Sequence, residues 1–85
     1  MIKSDVEECV FRVLASILNV PRLSVNHEAS RTTLVEWDSL KHIQVILALE
    51  DDLKVEFSDI EISELDSASG LIQAIVAKTA GGRRS

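Results

Sequence analysis

The sequence predicts an all-α fold, a four-helix bundle with a short third helix and a long loop between helices one and two. Two observations lead there. Apolar residues recur at three- and four-residue steps in separate stretches, and residues that start or stop helices flank those stretches. Aliphatic side chains also supply nearly all the apolar bulk, with only two Phe and one Trp among 85 residues, which suits a helical bundle better than an aromatic-rich barrel. A chain of this length makes one small domain with a modest core. Residues 1 to 80 are read as that domain, and 81 to 85, with Gly81, Gly82, Arg83 and Arg84, as a disordered tail.

The first helix is expected from Ile2 to Leu18. Val6, Cys9, Val10, Val13, Leu14 and Ile17 form its apolar stripe, with Lys3, Glu7, Glu8 and Arg12 toward water. Asn19 and Pro21 are its stop signals. Residues 19 to 37 hold no sustained period and are read as a loop that crosses the bundle. Val25 and Leu34 are among its apolar anchors. A second helix starts at Asp38-Ser39 and runs to about Leu53. It is apolar over a wide arc: Val45, Ile46, Leu49 and Leu53 make one face, and Leu40, Ile43 and Leu47 a neighbouring one. Ser58-Asp59-Ile60-Glu61 has the pattern of a capping box and starts a brief helix through about Glu64. A last helix runs from Ser67 to about Lys78, with Ala68, Leu71, Ile72, Ile75 and Val76 as its apolar residues.

The formal charge is -5, and between Glu36 and Asp66 ten acidic residues stand against Lys41 and Lys54 alone. Such a field repels nucleic-acid phosphates and anionic lipid and favours basic protein surfaces. Cys9 is the only cysteine, which excludes a disulfide framework, and its place in the apolar stripe marks it as a packing residue. No stretch has the length and apolar continuity of a membrane span, and no secretory leader pattern opens the chain, so a cytoplasmic location is expected. His27 has no metal-ligand partner at a recognisable spacing and is read as a solvated or capping residue.

The most specific segment is Glu36-Trp37-Asp38-Ser39-Leu40. It follows the long loop, opens the long apolar helix, and leads into Ala48-Leu49-Glu50-Asp51-Asp52. This segment resembles the phosphopantetheine attachment site of the acyl carrier and peptidyl carrier proteins, whose signature is Asp-Ser-Leu at the start of the second helix. Val25, Ala29 and Ser30 in the loop and residues 56 to 59 extend the similarity, which covers the chain to about Lys78. The resemblance implies a bundle of acyl-carrier type that bears covalent 4'-phosphopantetheine, taken from coenzyme A, on Ser39, with Asp38 and Leu40 completing the motif. The chain itself is then no enzyme but a monomeric carrier. Its partners would be a phosphopantetheinyl transferase, an acyl- or aminoacyl-loading ligase or transferase, and synthase or tailoring enzymes. Trp37, Lys41, His42, Ile43, Leu47, Glu50 and Asp51 are the residues placed toward those partners; for Trp37, anchoring the loop on the bundle stands as the alternative.

The physical chemistry of the position agrees. A serine at a helix N-terminus lies beside unpaired N–H groups and at the positive end of the helix dipole, a favourable place for a phosphodiester. As a simple N-cap, Ser39 would use the same oxygen, and Asp38 resolves the competition if it caps the helix instead. Asp38, Ser39 and His42 also contain the residue types of a hydrolase triad, but no candidate for an oxyanion hole or an acyl pocket accompanies them. The chain departs from well-known fatty acid carriers after the motif. There it reads Lys41, His42 and Gln44 where acidic residues are expected, which implies a specialised polyketide, nonribosomal peptide or lipid pathway. A non-covalent adaptor with the carrier fold is the alternative function.

Overall fold

The computed structural model describes residues 3 to 81, and among them there are four helices and no strand. They are α1 (Lys3–Leu18), α2 (Ser39–Leu53), α3 (Asp59–Glu64) and α4 (Ala68–Gly81), with a single turn of 3-10 helix (Arg22–Ser24) in the long loop. No helix of the described residues is long and apolar enough to cross a membrane.

Local signals set most of these boundaries. At the end of α1, Asn19 takes the left-handed conformation (φ 58°), and the N–H groups of Asn19 and Val20 donate to the carbonyls of Ser16 and Ala15. That pair of bonds satisfies two of the helix's last carbonyls, and Asn tolerates the left-handed region better than most residues. Lys54 (φ 56°) ends α2 in the same conformation. Ser58 and Glu61 make the expected capping box: Glu61 N–H donates to Ser58 Oγ at 3.1 Å, and Ser58 N–H to Glu61 Oε1 at 2.8 Å.

The last helix differs from its expected extent. Ser67 lies outside it and serves as its cap, accepting the N–H of Gly70 at 3.0 Å. At the other end the helix continues past Lys78 to Gly81, where Thr79 Oγ1 donates to the carbonyl of Ile75 at 3.0 Å. Threonine in a last turn thus satisfies its own hydroxyl by bonding backward along the helix. The proposed tail therefore loses Gly81 to α4, and residues 82 to 85 lie outside the described part of the chain.

The core is one cluster. Val6, Val10 and Leu14 of α1, Val45, Ile46 and Leu49 of α2, and Leu71, Ile72 and Ile75 of α4 are all essentially inaccessible to solvent. Cys9 belongs to it, and burial pushes its thiol pKa up, with the nearby Asp52 carboxylate adding to the effect. Phe11, which lies outside the predicted stripe, is buried too. The loop covers it: the Arg22 guanidinium sits 4.7 Å over its ring and His27 meets it edge-on at 5.3 Å. His27 Nε2 also lies 3.2 Å from Glu7 Oε2, so this histidine packs the loop on α1.

An ion pair fastens α3 to α4. Lys78 Nζ lies 2.8 Å from Glu61 Oε1, and this bond, with the Ser58 N–H, holds the Glu61 carboxyl below its ordinary pKa. The folded state therefore binds a proton here less readily than the unfolded chain does. The contribution is full above the ordinary glutamate value of about 4.3 and is lost as pH falls through the lower folded value. In acid denaturation followed by circular dichroism, Glu61→Gln should flatten the loss of stability below about pH 5. An unchanged pH slope would show that the pair does not contribute.

Candidate functional site

The site forms where the long loop meets the start of α2. Asp38 has extended backbone (φ −93°, ψ −173°), and its Oδ1 accepts the N–H of Lys41 at 2.9 Å. Its carbonyl accepts the first intrahelical bond, from His42 N–H at 2.8 Å. Asp38 is thus the N-cap, and Ser39 is the first residue inside the helix. The exposed Ser39 hydroxyl makes no capping bond. It accepts one bond from the loop, Arg31 Nη2–H to Ser39 Oγ at 3.0 Å.

The loop is pinned so as to bring Arg31 there. Ser30 and Ser67 form an isolated antiparallel bridge, in which Arg31 N–H donates to the Asp66 carbonyl and Ala68 N–H to the Ala29 carbonyl. Thr32 and Thr33 hydroxyls gather round Ser30, and Leu34 N–H donates to the Ser30 carbonyl at 2.9 Å. A further turn, Trp37 N–H to the Leu34 carbonyl, delivers the chain to Asp38.

Behind Ser39 runs a buried polar chain. Trp37 is only 1% exposed, and its indole N–H donates to His42 Nδ1 at 3.0 Å. Because Nδ1 accepts, the ring proton resides on Nε2, which donates to the carbonyl of Ile62 in α3 at 2.6 Å. This corrects the placement of Trp37 and His42 among the partner-facing residues, since both are enclosed by the domain itself. It also separates His42 from Ser39 chemically: both ring nitrogens are engaged elsewhere, so no histidine base faces the hydroxyl.

The other predicted positions divide by exposure. Leu40, Ile43 and Leu47 are 66%, 45% and 58% exposed, while Val45, Ile46 and Leu49 of the same helix are buried. Leu53 is half-buried against the core. Lys41 is half-buried and Asp51 exposed. Glu50 is half-buried, and its Oε2 accepts the N–H of Phe57 at 2.9 Å, so its carboxylate ties down the segment between α2 and α3. Two features escaped the sequence: Arg31 beside the serine, and Ile60, a 68%-exposed apolar residue on α3.

The residues at this position suit a phosphate-linked group. A primary hydroxyl that takes no part in capping stands at a helix N-terminus whose cap is supplied by its neighbour, and the N–H groups of Ser39 and Leu40 precede the first ladder bond. The sequence matches no known protein-family model.

Proposed function

We propose that this chain is a carrier domain of acyl-carrier type, with Ser39 as the attachment point of 4'-phosphopantetheine. The observation that carries this reading is the division of labour at the start of α2: Asp38 caps the helix, leaving the exposed Ser39 hydroxyl outside the cap. In the loading reaction the Ser39 oxygen bonds to the phosphorus that bears the pantetheine arm of coenzyme A. The hydroxyl proton passes to a base of the transferase, and adenosine 3',5'-bisphosphate leaves. When bound, the arm supplies a thiol that holds acyl or aminoacyl groups as thioesters. The domain contributes a rigid helix end that presents the oxygen and a surface by which enzymes find it.

Leu40, Ile43 and Leu47 form that surface. Exposed apolar residues on three successive turns of a helix are costly to leave uncovered and serve a partner's contact. Beside them, Lys41 and Gln44 are the accessible polar residues next to the motif, whereas His42 faces inward. The near end of the helix thus lacks the acidic character of bulk fatty acid carriers, which points to partners of a specialised polyketide, nonribosomal peptide or lipid pathway.

The test is intact mass after incubation with coenzyme A and a broad-specificity phosphopantetheinyl transferase. Wild type should gain one phosphopantetheinyl unit and Ser39→Ala none. No gain in the wild type would favour an unloaded, non-covalent adaptor.

A further inference from the structure

Arg31 is a side chain of the site for which the carrier reading gives no role. Its backbone is fixed by its own N–H to the Asp66 carbonyl and, through Ser30, by the neighbouring Ala68–Ala29 bond. Its guanidinium crosses from the loop to the start of α2 and donates to Ser39 Oγ. Among the described residues, Arg22 pairs with Glu8, Lys54 with Asp51 and Lys78 with Glu61. Arg31, like Lys3, Arg12 and Lys41, has no carboxylate within 4.0 Å among those residues, and of these four it is the one that donates to the Ser39 hydroxyl. The guanidinium of this half-buried residue, permanently charged and carrying five donors in a fixed fork, thus rests one donor on a neutral, exposed hydroxyl. A phosphate ester at that same oxygen would offer it two charged acceptors, a stronger and geometrically matched partner.

We propose that Arg31 is a positioning residue for the Ser39 arm. Before loading it orients the hydroxyl by donating to its oxygen, which leaves the hydroxyl proton free to depart. After loading it pairs with the non-bridging oxygens of the phosphodiester and holds the root of the arm against the loop. This inference rests on the carrier reading of Ser39.

The experiment loads wild type, Arg31→Gln and Arg31→Lys with coenzyme A and transferase, verifies each by intact mass, and records the 31P spectrum at low ionic strength. The phosphodiester resonance of Arg31→Gln should be displaced from that of wild type, with Arg31→Lys between them. The difference should shrink in about 1 M salt, where screening acts over roughly 3 Å. In the wild type alone, the Arg31 Nε–Hε resonance should move on loading, a readout that needs no variant to fold or load. Coincident 31P resonances together with an unmoved Arg31 signal would overturn the proposal while leaving the carrier reading intact. A wild type that gains no mass would overturn both.

Discussion

Trp37→Ala is expected to remove about 3–5 kcal/mol of stability, the range for deleting a large aromatic side chain from a packed core. The loss is severe here because a domain of 85 residues holds only about 0.05–0.15 kcal/mol per residue. Trp37 fills the space between the end of the loop and α2, and it supplies the donor for His42 Nδ1. Removing it leaves a cavity and an unsatisfied buried nitrogen together. Trp37→Phe leaves a smaller cavity but still removes the N–H; it should cost less than Trp37→Ala yet at least about 1–3 kcal/mol, the penalty of the orphaned acceptor. Urea denaturation followed by far-ultraviolet circular dichroism measures both, because the signal does not depend on the indole that is replaced. A change within about 0.5 kcal/mol for Trp37→Ala would be the behaviour of a surface residue and would contradict the buried chain from Trp37 through His42 to Ile62.

Two leucines on α2 should respond in opposite ways. Leu49 is fully buried, and Leu49→Ala should destabilise by about 2–5 kcal/mol through lost contacts and the cavity left behind. Leu47, two residues away and 58% exposed, tolerates even a charge: Leu47→Glu should keep the helix content and a stability within about 0.5 kcal/mol of wild type. Its effect should appear in loading or in downstream acyl transfer, where a carboxylate would stand in an apolar contact. Circular dichroism with a loading time course distinguishes the cases. Unfolding of Leu47→Glu would place Leu47 in the core and remove it from the proposed partner surface.

The contrast between these leucines was legible in the sequence, because spacing on a helix assigns a face without knowledge of what lies opposite. The caps were legible for a similar reason. Asp38, Ser58 with Glu61, and Asn19 act on backbone groups within three or four residues of themselves. The burial of His42 was not legible in this way. Its polar side chain lies on the strongly apolar helix, and what makes its burial possible is the Ile62 carbonyl, 20 residues further on. The choice for Trp37 between packing and partner contact depends on the same bond and stayed open until the fold closed it. Arg31 was hidden by the loop. No periodicity relates it to Ser39, and the bridge between Ser30 and Ser67 that delivers it joins segments far apart in the chain. Glu50 shows the converse limit: its acidity marked it for the surface, yet a backbone N–H at Phe57 claims its carboxylate.

The chain has ten serines, so a gain in mass alone does not say which oxygen was modified. The most direct measurement is fragmentation mass spectrometry of the protein loaded from coenzyme A, with the modification assigned to a residue. The division of labour at the start of α2 predicts a single phosphopantetheinyl group on Ser39, with the capping Ser58 and Ser67 unmodified. An unmodified Ser39 in the loaded protein, or a group found on another serine, would contradict it.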